Sequence, residues 1–395
     1  MRIERLRLKN FKLFENVTLD HVPPYCVLVG ANGVGKSTLF DVFGFLRDCL
    51  KDNVRSALAK RGSFKEVVSR GAGPNETILI ELKIRMPLAG SERIVTYSIE
   101  IGNAGGAPIV EREILQYTRF GGGKPYRFLD FSQGQGSAIT NEEEFTDDSE
   151  IKREQQQLDS PDILAIKGLG QFQRFKAASA FRSLIENWHV SDFHIQAARG
   201  SQDAGYAEHL SASGENLPLV AQFLRQRHPD KFHRILDTMA KRVPGVEKIE
   251  ATETADGRIV LRFQDGSFKD PFVSRYVSDG TIKMFAYLVL LYDPTPHPLL
   301  CVEEPENQLY PSLLGELAEE FESYSRRGGQ VFVSTHSPDF LNQVPLGSIY
   351  VLTKQAGFTN AVRARDMPNI AAFIKAGDLP GHLWRQRLLV ENEPA

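Results

Sequence analysis

A chain of 395 residues with a net charge of −3 has room for about two domains, or for one large α/β domain carrying an insertion. Its apolar (42%) and charged (25%) fractions are those of an ordinary globular protein, and no apolar run approaches the roughly 20 residues a bilayer span needs. The cysteines Cys26, Cys49 and Cys301 are far apart and form no C-x-x-C pair, so neither a cysteine zinc site nor a disulfide framework is indicated.

In chain order, Met1 to Leu6 reads as structure, with no signal-peptide apolar core. Together with the cysteine usage, that points to a cytoplasmic protein. Ile3, Leu6 and Leu8 alternate with Arg2, Arg5, Arg7 and Lys9, the pattern of an edge strand with one wet face. Asn10-Phe11-Lys12-Leu13-Phe14 makes a turn, and Val17-Thr18-Leu19 returns.

Next comes Gly30-Ala31-Asn32-Gly33-Val34-Gly35-Lys36-Ser37-Thr38, which fits the phosphate-cradling pattern G-x-x-x-x-G-K-[ST]. The apolar run Tyr25 to Val29 precedes it as a buried strand should. Leu39, Phe40, Val42, Phe43, Leu46 and Leu50 follow at helical spacing. A chance glycine-rich turn would lack that flanking order. The glycines let N–H groups face the phosphates at a helix N-terminus. Lys36 is expected on the β/γ-phosphates, and the Ser37 hydroxyl on Mg²⁺.

Thr77 to Ile84 and Ile94 to Ile101 alternate as strands separated by Pro87 and Gly90, which predicts an antiparallel subsheet; a further strand is read from Glu111 to Phe120. Gly121-Gly122-Gly123 and the polar tract Asn141 to Gln157 mark a mobile loop or linker. From Pro161 to Glu186 the pattern turns helical, with Lys167, Arg174, Lys176 and Arg182 interleaved with Phe172, Phe175 and Phe181. That stretch is either a nucleic-acid-facing surface or an amphipathic helix with a solvated basic face. Two compact helices follow, broken at His228-Pro229, and then a hairpin around Asp256-Gly257. No repeat or heptad run occurs, so no long coiled-coil arm is predicted.

The last third carries three further motifs. Ser278-Asp279-Gly280-Thr281 opens the apolar helix Ile282 to Leu291 and has the chemistry of an anion-binding helix start. Leu299 to Val302 is an apolar strand ending in Glu303-Glu304-Pro305. Glu303 would hold magnesium, and Glu304 would orient and deprotonate the attacking water. Val331-Phe332-Val333-Ser334-Thr335-His336-Ser337 is a second buried strand, with His336 where a γ-phosphate sensor would fall.

Together these four motifs resemble the ABC-type ATPase head shared by SMC, RecF and OLD-family proteins, and most of all its stand-alone prokaryotic AAA-type members. The resemblance implies an α/β P-loop NTPase with a parallel core sheet, an antiparallel β subdomain and a mostly helical insertion. On that pattern residues 1–120 form the N-terminal part of the head, 121–215 the insertion and 216–395 the C-terminal part. Asn10-Phe11-Lys12 matches the basic turn such heads place near the nucleotide, which puts Lys12 among the nucleotide contacts. The resemblance further implies a homodimer, or a higher oligomer, that sandwiches two ATP molecules. Ser278, Asp279 and Gly280 of one protomer would complete the γ-phosphate site of the other, with Leu309-Tyr310-Pro311 near the seam. The chain departs from the pattern in three places. Glu303 stands where aspartate is usual, the signature reads Ser-Asp-Gly, and no glutamine lies between the phosphate loop and Gln116, leaving Ser69 or Arg70 to substitute for the glutamine magnesium contact.

The resulting expectation is an ATP-hydrolysing dimer that controls a nucleic acid, DNA or RNA, or an effector partner, in DNA repair or antiviral (anti-phage) defence. The short stretch after Trp384 leaves no room for a TOPRIM nuclease domain and no HNH-like cysteine and histidine set is visible, so a nuclease would be a separate subunit. Two readings compete: a scaffold that binds ATP with negligible turnover, and the ATPase subunit of a membrane transporter. Glu304 opposes the first, and the Asn10-Phe11-Lys12 element with the large insertion opposes the second.

Overall fold

The structure, a computed structural model, describes residues 1–389 apart from 74, 89, 119–123, 143 and 145–147. It divides into two compact units, one of residues 1–188 and 347–370 with Leu389, the other of 189–346 and 371–388.

The first unit begins with a tight hairpin, β1 (Arg2–Phe11) and β2 (Phe14–Asp20), closed by the pair Phe11 and Phe14. Lys12 turns the corner at φ 50°. β1 is not the edge strand its alternation suggests, because it pairs on its other side with β4 (Ile78–Leu88). Alternation reports that one face is wet, and a strand inside a sheet meets that condition as well as an edge strand does. Between these strands lie β3 (Tyr25–Val29), buried at every residue, and helices α1 (Lys36–Lys51), α2 (Val54–Ala59) and α3 (Phe64–Val67).

From β4 the chain meanders antiparallel through β5 (Ser91–Ala104), β6 (Ala107–Tyr117), β7 (Tyr126–Ser132), β8 (Gln135–Ile139) and β9 (Arg153–Gln157). With β2 and β1 these make eight sheet strands among the described residues. Cross-strand pairs such as Leu82 with Tyr97 and Tyr97 with Leu115 set the buried face. The sheet therefore runs into the segment expected to be mainly helical, since the apolar and aromatic set Phe128, Leu129 and Phe131 gives β7 the strand period.

Gly121-Gly122-Gly123 lies outside the described residues, as does part of the acidic tract. The rest of that tract is held in place rather than free. Asn141 is buried and exchanges hydrogen bonds with Glu150 and Lys152 backbone, and Glu142 accepts from Ala177 N at the start of a helix. Low hydrophobicity misled here because two buried side chains anchor an otherwise polar run.

Helices α4 (Ala165–Leu169) and α5 (Lys176–Glu186) complete this stretch. Phe175 and Phe181 are buried, leaving Phe172 as the exposed ring. Arg174 pairs with Glu154, and Lys167 donates to the backbone of Lys51 and Asp52. This geometry is that of an amphipathic helix packed on α1, where Phe43 meets Trp188 edge to face at 5.4 Å. At about 1.5–3 kcal/mol for each fully buried large apolar side chain, the aromatic and leucine face of α1 is a main source of the unit's stability.

One carboxylate is sealed in this core. Glu113 on β6 accepts from Tyr97 Oη and from the first N–H groups of α4. Burial outweighs those donors and raises its pKa to about 7. A carboxyl raised in the folded state stabilises fully below its unfolded value near 4.5 and loses that contribution as pH rises through 7. Relative to Glu113→Gln, the wild type should lose about 3 kcal/mol between pH 4.5 and 8. Thermal melts of both proteins across that range check it, and parallel curves would refute it.

The second unit holds the parallel strands β10 (His189–Ser191), β15 (Leu299–Glu303) and β16 (Gln330–Thr335), with β15 in the middle. Before β15 come α6 (Ile195–Ala198), β11 (Gln202–Asp203), α7 (Leu217–Arg227), α8 (Pro229–Arg242), β12 (Val246–Glu253), β13 (Arg258–Asp265) and β14 (Phe272–Val273). β11, β12 and β14 all pair with β13 in a small antiparallel sheet. Helix α9 (Asp279–Leu291) is buried at all but its first two residues, as an all-round apolar helix should be. Helices α10 (Pro311–Arg326) and α11 (Pro338–Leu341) flank β16.

The chain then returns to the first unit as β17 (Ile349–Gln355), parallel to β3, and β18 (Phe358–Arg363), antiparallel to β17. It ends in α12 (Ile370–Lys375) and α13 (Pro380–Arg385). Among the described residues no helix is long and apolar enough to cross a membrane.

Candidate nucleotide-binding and hydrolysis elements

The phosphate loop joins β3 to α1 within the first unit. Gly35 is the N-cap of α1 at φ 103°, and Gly33 has φ 77°, so both take the left-handed turn that glycine makes at least cost. A Cβ at Gly30 would fall 2.4 Å from the carbonyl oxygen of Leu352, and one at Gly35 would fall 2.7 Å from Thr359 Oγ1. Thr359 Oγ1 also donates to Val34 O at 2.7 Å, so β17 and β18 form the floor of the loop. Lys36 is buried, with Nζ donating to Gly30 O (2.9 Å) and Ala31 O (3.1 Å), which holds its ammonium inside the loop. Ala31, Asn32, Gly33 and Ser37 are exposed, Thr38 half-buried and Val34 buried. The loop thus presents exposed backbone at residues 31–33 and 37 beside buried Val34 at a helix N-terminus, where backbone N–H groups favour an anion.

Lys12 points at α1, where its Nζ lies 2.6 Å from Asp41 Oδ2; Arg61 takes the other oxygen of Asp41 and also reaches Asp48. Ser69 is buried and donates to Lys12 O at 2.8 Å, and Arg70 pairs with Glu66. The structure therefore uses Ser69 to fix the β1–β2 turn.

The second unit carries the carboxylates. β15 ends at Glu303, and Glu304 follows at φ 40°, an uncommon conformation for a residue with a side chain that costs of order 1 kcal/mol or more. Glu304 N donates to Ser334 O at 3.0 Å, so the end of β16 holds this bend. Its carboxylate accepts from Asn307 Nδ2 at 3.1 Å and stands 3.1 Å from His336 Nε2. That last contact has ion-pair distance without hydrogen-bond alignment. The two side chains singled out for the chemistry, Glu304 and His336, are thus brought together.

Glu306 anchors the same turn. Its Oε1 accepts from Thr335 Oγ1 (2.8 Å), His336 N (2.6 Å) and Ser337 N (3.2 Å). Lys283, buried on α9, donates to Asn307 O at 2.7 Å. Burial pulls its pKa down to about 8, against the opposing pull of Glu306 and Glu304. Neither role was legible from motif spacing. A lysine inside the long apolar run of α9 was the available signal, because such a residue is buried only with a partner.

Ser278 caps α9 through Thr281 N at 3.2 Å. Asp279 Oδ1 is 2.6 Å from Arg199 Nη2, and Arg199 also donates to Val277 O. A Cβ on Gly280 would meet Gln308 O at 3.0 Å, so glycine lets the signature pack against the turn after β15. Signature and turn line a cleft of about 630 Å³, whose walls include Ser278, Gly280, Leu309, Tyr310 and Arg242. Tyr276 and Tyr310 stand out beside the signature at 74% and 73% exposure.

Solved structures share this fold. An SMC head in a crystal structure bound to the C-winged helix domain of ScpA matches over 92% of this chain and 97% of its own, at 15% identity and a TM-score of 0.55. At that identity the likeness speaks for the fold alone. The SMC head domain from Thermotoga maritima (12% identity, 92% and 99% covered) and a Pyrococcus furiosus Smc head with an extended coiled coil, bound to the C-terminal domain of ScpA (15%, 94% and 99%), each reach a TM-score of 0.46. No curated protein matches the chain. The model of the AAA_21 family, described as "AAA domain, putative AbiEii toxin, Type IV TA system", matches residues 26–342. The chain belongs to that family and has the fold of an SMC head.

Proposed function

We propose that the protein binds and hydrolyses ATP, and that the cycle closes and opens a homodimer that controls a partner. The observation that carries this reading is the strained Glu304, held by Ser334 and Asn307 with its carboxylate beside His336. A scaffold that only binds nucleotide has no use for a carboxylate kept in that conformation.

In this reading Asn32 to Thr38 cradle the phosphates, Lys36 leaves its loop carbonyls for the β/γ-phosphates, and Lys12 adds charge nearby. Glu304 takes the proton of the attacking water, and His336 senses the γ-phosphate. Magnesium would be held by the Ser37 hydroxyl and the Glu303 carboxylate, each a hard oxygen of the kind it prefers. When bound, it would neutralise charge on the β- and γ-phosphate oxygens. Ser278, Asp279 and Gly280 serve the nucleotide of the other protomer. The partner is a separate nuclease or effector subunit, or a nucleic acid. The setting is repair or anti-phage defence, beside which the toxin–antitoxin wording of the family description fits.

The test is nucleotide binding. Wild type should bind a fluorescent ATP analogue, and Lys36→Ala should lose at least tenfold in affinity with its fold intact by circular dichroism. No binding by the wild type would overturn the reading. Proteins retained on the Glu304→Gln form would then name the partner.

A further inference from the structure

We propose that His209, Asp293 and His297, with His189 alongside, form a site for one zinc-type divalent metal ion at the N-terminal end of the parallel strands of the second unit. One ligand atom from each of the first three lies within 4.8 Å of the others. Those residues come from separate segments. His209 precedes α7, while Asp293 and His297 lie on the connection from α9 to β15. His189 begins β10, and its ring lies 4.7 Å from that of His297.

The chemistry of the set selects the metal class. Two imidazoles and a carboxylate are the donors of Zn²⁺, Co²⁺ or Ni²⁺ sites, whereas Mg²⁺ prefers oxygen alone. Asp293 is buried, with Oδ1 accepting from Thr295 N at 2.8 Å, which orients Oδ2 to 2.7 Å from His209 Nδ1. Tyr324 Oη donates to His297 O at 2.7 Å and fixes the rest of the connection. Tetrahedral zinc with bonds near 2.0–2.1 Å sets its ligand atoms roughly 3.4 Å apart. The pair at 2.7 Å must open slightly and the third donor must close in, shifts within reach of side-chain rotation. An ion pair between His209 and Asp293 is the competing account, but it gives no reason for a second imidazole, that of His297, within reach of the same point.

The site is separate from the hydrolytic carboxylates. It precedes β15, whereas Glu303 ends that strand and Glu304 follows it, and the four steps from Leu299 to Glu303 alone span about 13 Å at the rise of an extended strand. Its role is therefore to staple the segment before α7 to the α9–β15 connection rather than to act on phosphate.

The experiment uses the full chain, stripped with a chelator and titrated with Co²⁺. The expected result is one equivalent bound with the visible absorption of a tetrahedral site, displaced by Zn²⁺. A melting temperature that rises with added Zn²⁺ should accompany it. His209→Ala, at an exposed position, should weaken Co²⁺ binding at least tenfold and abolish the thermal shift. Asp293→Asn should weaken it at least a hundredfold. Nucleotide binding by His209→Ala should stay at the wild-type level. No Co²⁺ spectrum in the wild type, or one that both variants retain, overturns the site and leaves His209 and Asp293 as an ion pair.

Discussion

Glu304→Gln should bind ATP as the wild type does and hydrolyse it at least about a hundredfold more slowly, the usual scale for removing a general base. That factor corresponds to about 2.7 kcal/mol of barrier. The substitution keeps the shape and an oxygen for Asn307 Nδ2, so the turn after β15 should survive. It removes the carboxylate that stands 3.1 Å from His336 Nε2. Binding and chemistry therefore separate, whereas Lys36→Ala loses both. Steady-state phosphate release and nucleotide titration on the same preparation decide the matter. A variant that turns over at the wild-type rate would take Glu304 out of the role of base, and the strain at φ 40° would need another explanation.

A second large effect is expected at the signature. Ser278 and Gly280 line an open cleft flanked by two exposed tyrosines. The phosphate loop holds one side of a triphosphate, and the charge that develops on the γ-phosphate calls for donors from another direction. In a composite dimer these come from the other protomer. Ser278→Arg should then keep fold and ATP binding but abolish turnover, because a long cation occupies the seam. Mixing it with Lys36→Ala should restore part of the activity, since each mixed dimer holds one site with both halves intact. Phosphate release across mixing ratios, with light scattering to follow association, gives the answer. Normal hydrolysis by Ser278→Arg, or heterodimers without rescue, would show that each protomer works alone.

How much of this was legible beforehand depended on the range over which each signal acts. The phosphate loop, the carboxylate strand and the capped signature helix are local patterns, and each appears where its residues put it. The β4–β5 hairpin and the break at His228 were legible for the same reason. What failed needed distant partners. β1 reads as an edge because nothing near it reveals β4, and the support of Gly35 by Thr359 spans more than three hundred residues. The polar tract read as mobile because Asn141 and Glu142 look solvated until their backbone partners are known. Glu306 was passed over beside its more familiar neighbour, although three donors converge on it.

That convergence makes the turn after β15 and the histidine segment move as one piece. Thr335, His336 and Ser337 are tied to one carboxylate oxygen of Glu306, the carbonyl of His336 is tied to Trp384, and Asn307 is tied to Lys283 on the signature helix. Pressure on the helix that starts at Ser278 is thus transmitted through Lys283 and two adjacent residues to the pair Glu304 and His336. On the proposed mechanism the second unit would act as a lever whose handle is the Ser278 helix and whose tip is Glu304. On that mechanism a load on the exposed surface around Tyr310 would alter the reaction rate without unfolding anything. It has only to tilt a few tightly bonded residues by a fraction of an ångström.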